Sequence, residues 1–352
     1  MDIIATGKGG GMAVGSVAQR LFACNMDVRQ LRPYLGTDGR SYFTANAADG
    51  KAVALETNAG ATLRYDEWKF FDTAVQQIAR QRLALVNFLR GRGLTLNMGG
   101  KGMASTVLAH EKISDMTGAT LSMDGLNRGD NDRPVFDIGY TPLPITHKDW
   151  QLNARFLAMS RAGNTPLDTT SSEVAARKSA DLIEDMCFNG ASSYAFGGGV
   201  IYGLLDFPSN HDVEITDWLA SGADPVGDVQ KLKIACGADN FHGPYALRVS
   251  KNWERVLDDD YGSSYPKTIR QRISELSGIA SIEVADQLAD DNVVLWQLSA
   301  DVFRVIDGLD LTPVEWQVEG GMAINYKVLS IVVPQPRADY DGRCGIAHGQ
   351  PA

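Results

Sequence analysis

TSSEVAARKSADLIEDMCFNG (Thr170–Gly190) and, upstream of it, YDEWKFFDTAVQQIARQRLALVNFLR (Tyr65–Arg90) decide how this chain reads. In the upstream stretch apolar residues recur three or four apart, at Trp68, Phe71, Val75, Ile78, Leu85 and Leu89, so they line one face of a helix. Asp66 and Glu67 suit the positive end of its dipole and Arg90 the negative end, and Gly91 is a stop signal. At 1.5 Å per residue, one helix over 65–90 would be about 39 Å long. The downstream stretch opens on Thr170 and Glu173 at capping-box spacing. Its stripe is Val174, Ala175, Leu182, Ile183, Met186 and Cys187, and Asn189-Gly190 ends it. About 80 residues separate the two helices, far more than a helical hairpin needs, so that segment is a structure of its own.

Within it, GRGLTLNMGGKGMAS is a glycine-rich hinge and Thr106–Ser114 alternates as a strand. Val107, Ala109, Glu111 and Ile113 fall on one side of that strand, Leu108, His110 and Lys112 on the other. A polar tip dense in Asp, Asn and Gly follows, and Val135–His147 returns as a second extended run. Pro142 and Pro144 keep that run from any central sheet position. The product is a long two-stranded arm with mixed faces, marginal in water unless something covers it. The tip carries Asp124, Asn127, Asp130 and Asp132 but lacks the calcium-loop pattern. His110 and His147 facing each other would still lack a third ligand, so no metal is assigned.

The first 60 residues show little periodicity, with a short helix over Val14–Met26 and turns and short strands after it. GKGGG at Gly7–Gly11 lacks phosphate-loop spacing and reads as a terminal segment. GGG at Gly197–Gly199 lacks a capped helix after it and reads as a tight loop. From 213 to 325 short strands and helices alternate irregularly. The strands are Tyr245–Val249, Ser281–Ala285, Val293–Leu298 and Val302–Ile306, and the helices Ser250–Leu257 and Thr268–Leu276. The β-branched run Ala323–Pro334 is a last strand before a polar tail. This is an α+β pattern, too irregular for a doubly wound sheet.

Hydrophobic residues at 44% permit a sizeable core. A net charge of −10 argues against a protein that reads or wraps nucleic acid, though not against a container wall facing it. Cys24, Cys187, Cys236 and Cys344 form no C-x-x-C pair and read as structural thiols in a reducing compartment. The start lacks the basic and apolar regions of a signal peptide, and no run is long and apolar enough for a membrane helix. Synthesis in a cytoplasm is the expectation. Nucleophile-elbow, zinc-protease, Walker and kinase motifs are absent, and Cys187 lies on a buried helix stripe. Asp258-Asp259-Asp260 reads as an exposed acidic loop. No catalytic residue and no cofactor is assigned.

The order of elements resembles the Hong Kong 97-type fold of tailed-phage major capsid proteins and of encapsulins, their bacterial shell relatives. DEWKFFDTAVQQIARQRLALVNFL is similar to the helix before the extended loop in the encapsulin-like branch, and LPITHKDWQLNARFLA to the exit from that loop. LDTTSSEVAARKSADLIEDMCFNG resembles the spine helix and GPYALRVS an apical strand, while VLSIVVPQPRADYDGRCGIAH resembles the closing strand and tail. The match runs from about residue 60 to 350, carried by order more than by any one motif. It implies an N-terminal arm over 1–60, a peripheral domain with spine helix over 61–100 and 149–195, and an extended loop over 101–148. An apical domain over 196–322 and a closing strand with tail over 323–352 complete it.

The resemblance implies a major capsid protein that self-assembles through pentamers and hexamers into an icosahedral shell in the host cytoplasm. Such a shell encloses a phage genome without sequence-specific DNA binding, alongside a portal and a scaffold or decoration protein. The loop would lie over a neighbouring subunit near its spine helix, with Glu111, Lys112, Arg128, Asp130 and Arg133 as candidates for intersubunit charge pairs. The first 60 residues are longer than the compact encapsulin start and lack its cargo-docking helix, which favours a virus coat. An encapsulin-like compartment with protein cargo is the alternative, and a soluble α+β enzyme with an unrecognised site a third.

Overall fold

The computed structural model describes residues 32–46, 52–56, 62–99, 102–124, 126, 132–163, 168–262, 265–316 and 323–351. The expected helix over Val14–Met26, the GKGGG run and Cys24 lie outside them. The chain opens with an antiparallel meander of β1 (Tyr34–Leu35), β2 (Ser41–Asn46) and β3 (Ala52–Glu56). Contacts at β1 tie it to the body: Leu35 N–H donates to Leu63 O at 2.7 Å, Trp68 Nε1 to Pro33 O at 3.2 Å, and the Tyr34 and Tyr65 rings lie 5.3 Å apart.

The stretch read as one helix is two, α1 (Tyr65–Arg82) and α2 (Ala84–Gly91). The break at Leu83 has a cause far along the chain. The buried Glu184 carboxylate accepts from Leu85 N–H at 3.2 Å and Val86 N–H at 3.1 Å, taking both donors from the helical ladder. Asn87 Nδ2 donates back to Arg80 O at 3.4 Å and to Ala79 O at 3.3 Å, the latter also accepting from Leu83 N–H at 3.1 Å. The stripe residues are all buried, but in three places, with Val75 and Ile78 beside Ala176 and Val328. Trp68 and Phe71 pack with Tyr326, whereas Leu85 and Leu89 pack with Trp296 and Phe303.

After β4 (Thr95–Asn97), β5 (Val107–Ile113) and β6 (Phe136–Pro142) form the expected ribbon. The second run does not continue as one strand. It stops at Pro142, and β7 (Thr146–Asn153) starts in another sheet. His147 therefore lies on β7, while His110 faces Gly139, so the two histidines do not meet across the ribbon. α3 (Ala154–Gly163) leads to the long helix α4 (Thr170–Asn189), whose bounds match the sequence reading. Its cap is one residue earlier than expected: Thr169 Oγ1 donates to Glu173 Oε1 at 2.6 Å, and Asp168 Oδ1 accepts from Thr170 N–H at 3.0 Å. Val174 and Leu182 face outward rather than into the core. The small residues Ala175, Ala176, Ser179 and Ala180 let the helix pack closely on that side, which rotates the buried face away from them.

The chain continues through β8 (Ala191–Phe196), β9 (Gly199–Ile201), β10 (His211–Ile215), α5 (Pro225–Ala238) and β11 (Tyr245–Ser250). Next come α6 (Glu254–Asp258), β12 (Asp260–Gly262), β13 (Tyr265–Thr268), α7 (Ile269–Ser274), β14 (Ile279–Ala285) and β15 (Val293–Gln297). The long strands β16 (Phe303–Trp316) and β17 (Ala323–Pro336) precede β18 (Ile346–Pro351). One sheet has the order β4-β16-β17-β7, the other β10-β18-β15-β11-β14.

Two expectations fail here. β16 falls in the stretch read as apical, yet it pairs along its length with β17. The run read as a polar tail supplies β18, which sits between β10 and β15 with Ile346, Ala347 and His348 buried. The polar His348 is tolerated there because Asp212 Oδ1 and Asn292 Oδ1 lie 3.1 and 2.5 Å from its ring nitrogens. The chain thus crosses three times, after β7, β15 and β17, between sheets that share a core of Ala180, Ile183, Val294, Trp296, Phe303 and Val332. Cys187, Cys236 and Cys344 are buried free thiols, and burial pushes the latter two up to about 12.

Glu315 on β16 accepts from Thr62 Oγ1 at 2.6 Å, but its Oε2 is buried without a hydrogen bond. Burial raises its pKa from 4.5 to about 7. The folded chain therefore holds the proton more tightly than the unfolded one, and the cost of ionising Glu315 develops between those values and is complete above the higher. Glu315→Gln is expected to stabilise the protein by about 1–3 kcal/mol at pH 8 and to make no difference near pH 4, as read by urea unfolding. Glu184→Ala strands two buried N–H groups and should cost about 1–3 kcal/mol in the same assay near pH 4, below the value of about 7 to which burial raises the Glu184 pKa, where no ionisation cost offsets the loss.

Candidate assembly interface

In an antiparallel pair, residues directly opposite share a face. The register Ile113↔Phe136, Glu111↔Ile138, Ala109↔Tyr140 puts six residues on the outward side of the ribbon. Leu108↔Thr141, His110↔Gly139 and Lys112↔Asp137 are on the inward side. The inward face is anchored near its root. Leu108 packs toward Ile331 and Val333, Thr141 is buried, and Gln335 Nε2 lies 3.2 Å from His110 Nδ1 and 3.3 Å from Thr141 Oγ1. The β8–β9 hairpin braces the same root: a Cβ on Gly199 would collide with the Tyr140 carbonyl. Further out, Arg343 Nη1 pairs with Asp115 Oδ2 at 3.1 Å and Tyr340 N–H donates to Ile113 O at 3.3 Å.

Among the described residues, the outward face beyond Val107 has no such cover. Ile113, Phe136, Ile138 and Tyr140 are 44–60% exposed. Beyond the strands Met116, Leu121 and Met123 are exposed as well. A contiguous apolar face of this kind marks a surface that associates with another. Sequence reasoning singled out the charges instead. Glu111 is exposed at the centre of the apolar face, and its carbonyl accepts from Arg337 Nη2 at 3.5 Å. Lys112 is half-buried on the inward side opposite Asp137. Arg133 is exposed beside the tip, and Arg128 and Asp130 lie outside the described residues. Among the described candidates, only Glu111 therefore sits where the apolar face would carry it into a partner. The signal for the rest was the alternation of Phe136, Ile138 and Tyr140, masked by Ala109 and Glu111 opposite.

Other sequence candidates have local roles. Asp124 Oδ1 accepts from Ser122 Oγ at 2.7 Å, Asp132 Oδ2 from Thr117 N–H at 2.6 Å, and Asp258 Oδ1 from Arg270 Nε at 3.1 Å. Asn127 and Asp130 are outside the described residues, among which no three His, Cys, Asp or Glu side chains could hold a metal.

A two-sheet α+β body with a long buried helix and a protruding ribbon is the Hong Kong 97-type fold of capsid and encapsulin shells. The crystal structure of the virus-like particle from Pyrococcus furiosus superposes with a TM-score of 0.58 at 14% identity, over 81% of this chain and 99% of that one. The capsid of Myoviridae phage XM1 gives 0.59 at 13% identity, over 76% and 92%. Residues 58–349 match the family described as "Family of unknown function (DUF6260)", and the chain belongs to that family. It is also 25% identical over 209 residues to the diheme-cytochrome-encapsulin shell fusion protein of Kuenenia stuttgartiensis, covering 58% of this chain. The chain spans about half (52%) the length of that curated relative.

Because Phe136 and Ile138 project into solvent, the pair Phe136→Ser, Ile138→Ser should leave stability within about 0.5 kcal/mol per site. Light scattering after size exclusion should find the variant smaller than the parent protein, with an unchanged melting curve.

Proposed function

We propose that this protein is a major capsid protein whose copies assemble through pentamers and hexamers into an icosahedral shell around a phage genome. The observation that carries the reading is the apolar outward face of the ribbon, anchored at its root and exposed at Ile113, Phe136, Ile138 and Tyr140 among the described residues. In this reading the ribbon lies on a neighbouring copy near α4, whose outward Val174 and Leu182 offer apolar surface. The five-stranded sheet with α5–α7 is the apical part at the symmetry axes. The four-stranded sheet with α1 and α4 is the peripheral part. Glu111 contributes one charge contact within an apolar interface, and exposed pairs add little each. The role is structural, not catalytic.

With a net charge of −10 per copy, the shell would confine DNA without adsorbing it. A portal and a scaffold or decoration protein would join it in the host cytoplasm. An encapsulin-like compartment holding protein cargo is the second reading, favoured by the encapsulin shell fusion protein among the relatives.

Negative-stain electron microscopy of the protein expressed alone, beside size exclusion, tests both. Closed particles of uniform diameter are expected, with nuclease-protected DNA in a virus coat and a copurifying enzyme in a compartment. A monomer or dimer, with or without coexpressed neighbours of its gene, would overturn the shell reading. Removing residues 122–133 should leave a folded chain that no longer closes particles. Normal particles from that deletion would remove the role given to the ribbon.

A further inference from the structure

The root of the ribbon is held by a chain of donors and acceptors that leaves one protonation state for His110. Arg304 Nε donates to Gln335 Oε1 at 2.7 Å. A guanidinium cannot accept, so the amide oxygen of Gln335 faces Arg304 and its nitrogen faces the ribbon. That nitrogen lies 3.2 Å from His110 Nδ1 and 3.3 Å from Thr141 Oγ1. Nδ1 is therefore the acceptor, and the imidazole is neutral with its proton on Nε2. The ring is also fixed by shape. It lies across Gly139, where an added Cβ would stand 2.6 Å from Cε1 and Nε2.

The charges around the ring share one sign. Lys112 follows on the same strand, Arg304 comes from β16 and Arg337 from the end of β17, and all three oppose a proton on the ring. Asp137 stands opposite Lys112 on β6, and Asp301 pairs with Arg337 at 3.2 Å, each answering a cation rather than the imidazole. The β8–β9 hairpin brings no charged group, and Asp206 in its exit accepts from Gly203 N–H at 2.6 Å. With Tyr140 of β6, Tyr202 lines a cavity of about 180 Å³ beside the ring.

We infer that His110 is an acid-released latch for the ribbon. Neutral, it accepts Gln335 and keeps the ribbon's inward face on the end of β17. Protonated at Nδ1, it meets a donor with a donor, beside three cations, and the root lets go. Burial and those cations hold its pKa down at about 4, against an ordinary 6.5. A released ring takes its proton near the ordinary value and a docked ring only near the lower one. Docking is thus unaffected above the ordinary value, weakens about tenfold per pH unit between the two, and changes no further below. The inference rests on contacts within one chain and stands apart from the shell reading.

Hydrogen exchange read by mass spectrometry on the full chain tests it, using peptides over 107–113 and 136–142. Peptides over β11 and β15 serve as internal reference, and rates are corrected for intrinsic pH dependence. Between pH 7 and pH 4.5 the ribbon should lose tenfold or more of its protection while the reference strands keep theirs. At pH 7, His110→Lys should reproduce that loss. His110→Gln, neutral and able to accept, should stay protected at both pH values. Equal protection of the Lys and Gln variants at pH 7 would show that charge does not hold the ribbon, and the inference fails. Loss of protection by the Gln variant over the same pH range as the parent would overturn it equally. Comparing the variants at pH 7 decides the matter even where acid loosens the rest of the chain.

Discussion

A single buried carboxylate sets the geometry of the body. Glu184, on α4, takes two N–H groups at the start of α2 and so forces the bend after α1. Without the bend, Leu85, Val86 and Leu89 would continue the line of Trp68 and Phe71 and pack with the Tyr326 cluster. With it, they reach Trp296 of the five-stranded sheet and Phe303 of the four-stranded one. A second charge closes the joint. Arg248 of β11 is buried, its guanidinium 4.5 Å from the Phe88 ring centre on α2 and 2.6 Å from Glu283. Buried charges are costly unless hydrogen-bonded or paired, and here each is tied to a different element. The joint holds helices and both sheets in one relative position.

The features legible in the sequence were those that local pattern encodes. The limits of α4 followed from periodicity and its Asn-Gly stop, and the ribbon from an alternating run on each side of a polar tip. The break after Arg82 was not legible, because the acceptor that causes it comes 98 residues later. The outward turn of Val174 and Leu182 was hidden for a related reason. Hydrophobicity ranks them above Ala176 and Ser179, but close helix packing selects for small size. The exchange of β16 and β18 between sheets lies further from local pattern still. A buried strand shows that it is covered on both faces and not which strand lies beside it.

The interface was half legible, and the missed half carries the energy. Charges at Glu111, Lys112 and Arg133 draw attention in a sequence, yet Lys112 faces inward and Arg133 sits beside the polar tip. Copies that each carry a net charge of −10 repel one another, so association must come from apolar area. Phe136, Ile138, Tyr140 and Ile113 supply that area from one face of a two-stranded ribbon. Such a ribbon cannot stabilise itself in water. In the proposed shell, docking on a neighbouring copy would stabilise its outer half, and assembly and ribbon ordering would become one equilibrium.

The body and the ribbon are held by different kinds of contact, and the difference suits the proposed role. Identical chains in a closed shell must meet at slightly different angles at pentamers and hexamers. The joint around Glu184 and Trp296 sets two hydrogen-bonded or paired polar groups in a close-packed apolar core, so it resists small deformation. The ribbon root relies instead on Gln335, His110 and Thr141 with Gly139 and Gly199 beneath them, contacts that are few, directional and separable. In the proposed shell, variation in angle would be absorbed at these separable contacts, while the surfaces that set curvature stay fixed. Replacing that polar root with an apolar one would make a stiffer subunit and leave a shell nowhere to accommodate the difference between its two kinds of vertex.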